Sequence, residues 1–367
     1  MLTCRQSVLR TSPRHTANGF AFVHVFTVNM KHLPTIVFVV MAALCVSVVS
    51  LSQQPNTLKV STELVNLDIV VMDEHGRPVR GLTRDDFEVY EDGDRQMVSH
   101  FSADERSLKI VLVFDKSLSM QSVLPLIRQR GEALLSKLRS DDEISIASFA
   151  TDFDVHAVWT TKETAIAYLS KISPDLSNPG QRSADQNTYL YEGVYRTLRE
   201  FGSSQHKPVV LLFSDGIDTG GGRSLSNAKT RAKQVGGQAL KQAEESWATV
   251  YPVRFKTEQI VGDLPGKAQR FPNTIRLGGA ADQPGKEFVD ELAKATGGTL
   301  FEFKNEADLT QAVDRVLAEW RAQYSLGYKP RGLKPREGFH QIRVRVKNSR
   351  FSVRTRRGYW VARDPGL

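Results

Sequence analysis

One short stretch constrains the fold and the chemistry of this chain more than any other. Residues 110–114 form a continuous apolar run of strand length, which ends in Asp115, Ser117 and Ser119. An apolar run without polar alternation is typical of a parallel strand buried on both faces. In doubly wound α/β sheets, ligands bind at the carboxyl ends of such strands. The stretch therefore predicts a ligand site at the end of a central strand.

Two later positions supply oxygen donors in similar settings. Thr188 precedes an amphipathic helix pattern, and Asp215 follows a second apolar run of strand length. Carboxylates and hydroxyls are hard ligands that suit Mg²⁺, Mn²⁺ or Ca²⁺, and no softer ligand for zinc or copper accompanies them. We therefore predict a divalent-metal site formed by Asp115, Ser117, Ser119, Thr188 and Asp215.

The order of these residues resembles a known family. The pattern Asp115-x-Ser117-x-Ser119, Thr188, Asp215-Gly216 is similar to that of a von Willebrand factor type A domain with a metal-ion-dependent adhesion site. The resemblance implies a Rossmann-like, doubly wound and mostly parallel α/β sheet. It also implies direct coordination by the three hydroxyls, with both carboxylates contacting the metal directly or through water. Residues 184–187 depart from the family, because many members carry glycines there.

The charge of the predicted site indicates what it binds. Two carboxylates and three neutral hydroxyls leave a divalent cation weakly compensated, so an acidic side chain of a partner can replace a bound water. The expected ligand is therefore a protein with an exposed acidic group. The alternative interpretation is that Asp115 and Asp215 only cap helices that follow their strands. Lys116, between two predicted ligands, is expected to be an ordinary exposed side chain.

Enzymatic interpretations have less support. A phosphoryl-transferring hydrolase of the haloacid dehalogenase type would use Asp115 as nucleophile, but it usually has a second Asp at the position of Ser117. Neither Ser117 nor Ser119 has the flanking glycines of a serine-hydrolase elbow. We expect a non-enzymatic protein. A cell-envelope structural or assembly factor with a structural metal is the first alternative, and a metal-dependent hydrolase is the second.

The beginning of the chain has the features of a secretory signal. Met30 and Lys31 precede a largely apolar run at 36–51, followed by small residues at 50–52. The pattern predicts a secreted or periplasmic protein, with retention as an N-terminal membrane anchor as the alternative. Cys4 and Cys45 are the only cysteines and both precede the predicted cleavage, so the mature chain would have no disulfide.

The hydrophobic periodicity of the sequence divides the chain into four predicted segments. We predict an N-terminal lead and signal peptide at 1–52, a β module at 53–103, the von Willebrand factor A domain at 104–325 and C-terminal strands at 326–367. Period-two patterns at 64–72 and 341–347 predict strands at both ends, and residues 91–94 predict a hairpin turn between strands at 87–90 and 97–101. Because each module is too small for a core of its own, we expect them to form one flanking β-sandwich.

Between the flanks, strand and helix patterns alternate as in an α/β domain. We predict helices at 123–138, 164–172, 189–201, 285–296 and 306–324, and strands at 143–149, 247–255 and 299–303. Residues 218–222 are expected to form a flexible rim beside the metal, which either shapes ligand access or is plain loop. Residues 256–284 are expected to form a long loop that is either functional or disordered, with disorder favoured. The terminal motifs at 63–73, 81–93, 323–330 and 357–359, together with the metal motif, resemble a group of secreted bacterial von Willebrand factor A-related proteins typical of acidobacteria.

The charge distribution limits the choice of partners. The net charge is +8, and residues 321–367 contain thirteen Lys or Arg against two acids. Residues 1–52 contain four Lys or Arg and no acid, so residues 53–367 carry only +4, which does not indicate a nucleic-acid partner. The basic end has two interpretations: the solvent face of edge strands, or a docking strip for an acidic polymer or an anionic envelope surface.

Overall fold

The structure, a computed structural model, describes residues 64–103, 107–173, 187–203, 208–220, 224–256, 280–331 and 337–361. All of them belong to one compact unit of the chain, from Thr62 to Leu367. The predicted signal segment and most of the predicted loop at 256–284 lie outside the described residues. Within the described ranges, no helix combines the length and the apolar character that a membrane span requires.

The elements of the described residues alternate as the sequence predicts for an α/β domain between β flanks. The strands are β1 Val65–Met72, β2 Phe87–Glu91, β3 Asp94–Gln96, β4 Val98–Ser102, β5 Lys109–Asp115, β6 Glu143–Phe149, β7 Phe153–Thr160, β8 Val209–Ser214, β9 Thr249–Phe255, β10 Phe301–Phe303, β11 Tyr324–Tyr328, β12 Gly338–Val346, β13 Ser352–Arg354 and β14 Gly358–Val361. The α-helices are α1 Leu124–Ser136, α2 Lys162–Leu169, α3 Leu190–Phe201, α4 Leu225–Arg231, α5 Gly237–Glu245, α6 Gln283–Thr296 and α7 Glu306–Trp320.

The central sheet has six strands in the order β10-β9-β8-β5-β6-β7. Its pairs are parallel except at the β7 edge, where β7 runs antiparallel to β6. The chain leaves β5 toward β6 and later returns to β8 on the other side. The carboxyl ends of β5 and β8 therefore meet at the topological switch point, where ligands bind in this class of sheet. The predicted fold class is confirmed.

The apolar run of β5 is explained by two cores, one on each face of the sheet. Ile110, Leu112 and Phe114 pack in a cluster with α1, α2 and α7. Val111 and Val113 pack on the opposite face with α3, α5 and α6. Because successive side chains of a strand point to opposite faces, every buried position of β5 from Ile110 to Phe114 must be apolar.

The flanking strands form two four-stranded sheets, β13-β1-β11-β4 and β14-β12-β2-β3. N-terminal and C-terminal strands share each sheet: β1 pairs with β11, and β2 pairs with β12. Their inward side chains form a third buried cluster, which includes Leu67, Val89, Leu326 and Ile342. The predicted β-sandwich, closed from both ends of the chain, is confirmed. The module boundaries stay predictions, and β11 lies across the one at 325/326.

Two local predictions in the flanks were wrong. The helix predicted to Tyr324 ends at Trp320, and Tyr324 begins β11 because its ring is buried in the sandwich. The turn at Asp92 and Gly93 does form a hairpin, with positive φ at both residues, but its second strand is β3 and not 97–101. That segment forms β4, which pairs with β11 in the other sheet. A turn signal is local and cannot show that the chain changes sheets after Gln96.

Two regions of the α/β domain have structure that the sequence patterns did not predict. The edge strand β7 is only partly buried, and Val155 and Val158 on it are exposed, so its apolar periodicity is weak. Helices α4 and α5 are joined by a π-helical turn at Ala232–Gly236. The π-helical turn shifts the faces of the two helices relative to each other, which interrupts the helical period.

Part of the basic C-terminal end joins the sandwich to the α/β domain. Arg354 forms an ion pair with the fully buried Glu319 of α7. Arg357 donates from Nε to Glu244 of α5 at 2.9 Å, and the guanidinium of Arg356 lies 5.1 Å from the ring centroid of Trp247. These three arginines are therefore used within the molecule and do not form a docking strip.

We expect the change Arg354→Ala to lower the free energy of unfolding by about 2 kcal/mol, because it removes a partner of a buried carboxylate. Arg315 still faces Glu319 at 3.6 Å, which moderates the loss. Urea denaturation of the variant measures it. The exposed Arg350→Ala, near the same strand, is the matched control; equal stability of the two variants would contradict the prediction.

Candidate metal centre

Asp115 is the last residue of β5, and it is fully buried. Its Oδ1 accepts the backbone N–H of Ser117 at 2.9 Å. Its Oδ2 accepts the hydroxyl of Ser214, at the end of β8, at 2.7 Å. The carboxylate is therefore held by hydrogen bonds from both strand ends at the switch point.

Ser117 and Ser119 lie side by side on the loop after β5. Their Oγ atoms are 3.1 Å apart, and a 3₁₀ turn at Leu118–Met120 brings them together. Met120 is fully buried in the core and anchors this turn. Neighbouring ligands of an octahedral Mg²⁺, each at about 2.1 Å from the ion, are roughly 3 Å apart. The two hydroxyls thus have the separation of a ligand pair.

Asp215 follows β8 directly and is also buried. Its Oδ1 accepts the N–H of Ile217 at 3.0 Å, and Gly216 between them has a φ of +75° that favours glycine. Its Oδ2 is buried without a hydrogen-bond partner in the structure. An unsatisfied buried oxygen of this kind costs about 1–3 kcal/mol, and more when it is charged. A bound cation would offset that cost.

Thr188 is buried and is held by the loop that follows Asp215. Its N–H donates to Oγ1 of Thr219 at 2.7 Å. Its carbonyl accepts the N–H groups of Thr219 and Gly220 at 2.9 and 3.2 Å. The structure therefore ties the Thr188 loop to the Asp215 loop. Coordination of a metal by the five residues stays a prediction, and the donor set around Asp215 fits it.

Burial and mutual repulsion make the ionised forms of Asp115 and Asp215 unfavourable. Burial raises the pKa of Asp115, and hydrogen bonds from Ser117 and Ser214 lower it only in part. Burial also raises the pKa of Asp215, and the negative charge of Asp115 raises it further. The hydroxyl of Ser119 opposes this shift. Protons and a divalent cation are therefore alternative ways to neutralise the pair.

A second group of charges, missed by the sequence patterns, supports the site. Asp218 is buried and pairs with Arg231 of α4, whose Nε lies 2.8 Å from Oδ1 of Asp218. The same guanidinium pairs with Glu192 of α3 at 2.7 Å, and it lies 5.5 Å from the ring centroid of Tyr189. Arg231 thus fixes the residues on both sides of the Thr188–Thr219 contact.

These contacts correct two expectations. Asp218 is not part of a flexible rim, since it is buried and ion-paired; residues 221–222 of that stretch lie outside the described residues. Lys116 is not an ordinary exposed side chain, because it is half-buried and its Nζ pairs with Asp154 at 2.7 Å. The only sequence signal for Asp218 was its position three residues after Asp215. Arg231 had none, because α4 lacks a recognisable apolar period.

The site is an all-oxygen cluster at the switch point of a doubly wound sheet, as the family resemblance implies. The fold resembles that of von Willebrand factor A domains. No protein-family model matches the sequence, and a search of curated proteins found no match. The assignment rests on the sheet order and on the residues gathered at the switch point.

Three solved structures are similar to this chain at low identity. A von Willebrand factor type A protein from Catenulispora acidiphila is 10% identical, with a TM-score of 0.40 over 84% of this chain and 76% of that chain. BatB, a conserved hypothetical protein from Bacteroides thetaiotaomicron, is 17% identical, with a TM-score of 0.38 over 57% and 99%. Proximal thread matrix protein 1 from the mussel byssus, with a zinc-occupied metal-ion-dependent adhesion site motif, is 14% identical, with a TM-score of 0.36 over 59% and 48%. This chain spans about half the length of the mussel protein.

We expect the metal-free protein to lose stability as the pH rises from the ordinary carboxyl pKa of 3.8 toward neutrality. A group whose pKa is raised by folding stabilises the folded state below its unfolded pKa, and this contribution is lost as the pH passes the folded pKa. Thermal unfolding in EDTA measures the decline. Mg²⁺ at neutral pH should restore the lost stability.

The matched variant for the pH experiment is Asp215→Asn, which keeps the shape of the side chain but cannot ionise. Its stability in EDTA should change less with pH over the same range, and Mg²⁺ should stabilise it less. An identical pH profile in the variant and the parent protein would show that Asp215 does not carry the effect.

We expect Arg231→Met to weaken metal binding about tenfold, since residues that orient metal ligands typically contribute tenfold or more to affinity. The change keeps the length of the side chain but removes the links to Asp218 and Glu192. Calorimetric titration with Mg²⁺ measures the affinity. Lys229→Met, at an exposed position of the same helix, should leave it unchanged; an unaltered affinity in Arg231→Met would refute the positioning role.

Proposed function

We propose that this protein is an exported, metal-dependent protein-binding protein with an adhesion-like role. A divalent cation, Mg²⁺ or Mn²⁺ before Ca²⁺, binds Asp115, Ser117, Ser119, Thr188 and Asp215 and accepts an acidic side chain of a partner protein. The observation that carries the proposal is the buried Oδ2 of Asp215, which has no hydrogen-bond partner and lies in the all-oxygen cluster at the switch point.

The charges of the site support an acidic ligand. Only two of the five donor side chains can be anionic, and each carboxylate already has a hydrogen bond from a backbone N–H. A divalent ion held this way keeps much of its positive charge and retains water in its shell. A carboxylate from a partner replaces such a water and supplies the missing charge.

The surroundings of the site provide room for a protein partner. A groove of about 300 Å³ lies beside Tyr189, directly after Thr188. Asp152 and Phe153 line it from the β6–β7 turn, and Arg196 lines it from α3. None of the five proposed ligands lines the groove, so it is a neighbouring surface that a partner bound at the ion could also contact.

The structure also bears on the alternative functions. A purely structural metal is less needed here, because Ser214, Thr188 and Thr219 already join the loops by direct hydrogen bonds. A hydrolase that used Asp115 as nucleophile would need an accessible carboxylate, whereas both oxygens of Asp115 accept hydrogen bonds and the residue is fully buried. These observations favour the binding function over a structural or catalytic one.

We expect calorimetric titration with Mg²⁺ and with Mn²⁺ to show one saturable site, because the proposal places a single ion among the five donors. Asp115→Ala should abolish it. Ser119→Ala should weaken it without disturbing the core, since Ser119 is only half-buried. Asp141→Ala removes an exposed carboxylate elsewhere and serves as control.

Metal-dependent binding of a partner protein is tested by affinity capture from the organism's own envelope fraction. Proteins retained in Mg²⁺, released by EDTA and absent with Ser119→Ala would support the proposed function. Retention that survives EDTA would favour the structural or assembly factor, and phosphate release from small esters that is lost in Asp115→Asn would favour the hydrolase.

Export is part of the proposal and rests on the sequence of residues 30–53. Its test is independent of the metal. N-terminal sequencing of protein recovered from the periplasm or the medium should begin near Gln53, whereas a chain that starts upstream and stays with the membrane would indicate the anchored form.

A further inference from the structure

A second cluster of metal-ligand side chains lies at one end of the sandwich core, apart from the central sheet. It consists of Glu91 at the end of β2, Asp92 in the following turn, and His340 on β12. Nδ1 of His340 lies 2.8 Å from Oδ2 of Asp92 and 3.3 Å from Oε1 of Glu91. Backbone pairing of β2 with β12 brings the three together.

One atom of this cluster is not accounted for by the surrounding hydrogen bonds. Glu91 is 6% exposed, on the inward face of β2. Its Oε1 accepts the hydroxyl of Tyr359 at 2.9 Å. Its Oε2 is buried and makes no hydrogen bond of normal geometry, and the buried hydroxyl of Tyr328, which also lacks one, is the side chain that interacts with Glu91. A buried carboxylate oxygen left in this state is costly, and a cation within the cluster would satisfy it.

The geometry and the donor types fit a small transition ion. Ligand atoms about 2.1 Å from a tetrahedral Zn²⁺ are roughly 3.4 Å apart, close to the 3.3 Å between His340 and Glu91. Asp92 is half exposed, with 50% of its side chain accessible, so it can move the short distance that separates it from such a position. An imidazole with two carboxylates favours Zn²⁺ over Mg²⁺, whereas the all-oxygen site has the opposite preference.

The surrounding residues hold the three side chains in place. The N–H of Gln341 donates to Oδ1 of Asp92 at 2.8 Å, which leaves Oδ2 directed at His340. The ring of Tyr359 stacks on His340 with centroids 5.3 Å apart. Hydrogen-bonded carboxylates and an oriented imidazole are what a metal site requires of its outer shell.

We propose that Glu91, Asp92 and His340 bind a divalent transition ion of the Zn²⁺ type, with water on the exposed side of Asp92. The ion joins the β2–β3 turn to β12 in one sheet of the sandwich. A small β-sandwich without disulfides gains stability from such a link, and the described residues contain no cysteine. The role of this second site is structural and does not depend on the proposed function of the Asp115 site.

The test uses the full chain with Asp115→Ala, so that Zn²⁺ cannot bind the first site. Both this variant and the double variant Asp115→Ala/His340→Gln are titrated with Zn²⁺, and the bound metal is measured by equilibrium dialysis and metal analysis. The variant that keeps His340 should bind one more equivalent of Zn²⁺ than the double variant. Zn²⁺ should raise the thermal unfolding midpoint of the first protein and have much less effect on the second. Asp92→Asn, which keeps the acceptor for Gln341, should weaken binding at least about tenfold.

The control is His75→Gln, an exposed histidine beside other acidic residues. It should change neither the number of bound ions nor the midpoint. Equal Zn²⁺ binding with and without His340, in proteins folded by circular dichroism, would overturn the proposal and leave the cluster as an ion pair. If His340→Gln does not fold, the Zn²⁺ affinity of Asp92→Asn is the test instead. An unchanged Zn²⁺ affinity in that variant overturns the proposal as well. The single variant His340→Gln keeps Asp115, so its Mg²⁺ binding tests the Asp115 site separately from the second site.

Discussion

Asp115 and Asp215 are both buried at the switch point of the central sheet, close enough for the charge of one to raise the pKa of the other. Two like charges cannot stay ionised in such a place without compensation. The folded chain must keep a proton on the pair or accept a cation there. Much of the local structure serves this requirement: Ser214 bridges the two strand ends, and Gly216 turns the chain so that Ile217 can donate to Asp215.

The pair of carboxylates is surrounded by a second layer of charge that is balanced within the protein. Arg231 neutralises Asp218 and Glu192 and contacts Tyr189. This layer fixes the loops, so the inner pair is the one left uncompensated. A site that is rigid and short of positive charge suits the binding of a cation and, through it, of an anionic partner. The same arrangement explains why the proposed function does not require the metal to organise the loops.

The sandwich depends on contacts between the two ends of the chain. β1 and β11 pair across more than 250 positions of sequence, and the arginines after β12 reach α5 and α7. Neither terminal module has enough apolar surface to form a core alone. The sandwich core therefore requires both ends of the chain, and the buried Glu319–Arg354 pair joins the sandwich to the α/β domain.

Periodicity and local chemistry by themselves determined the fold class and the strands β5, β6 and β8, and they predicted the five oxygen donors in their order. These signals are short-range: a doubly buried strand must be apolar throughout, and the residues that end it must carry the polar groups. They could not determine which sheet β4 and β13 join, where α7 ends, or that Asp218, Glu192 and His340 acquire partners. Those outcomes depend on residues far apart in sequence that meet only after the sheets have packed. A carboxylate in a loop has the same local pattern whether it is solvated or buried, and only the tertiary structure decides which.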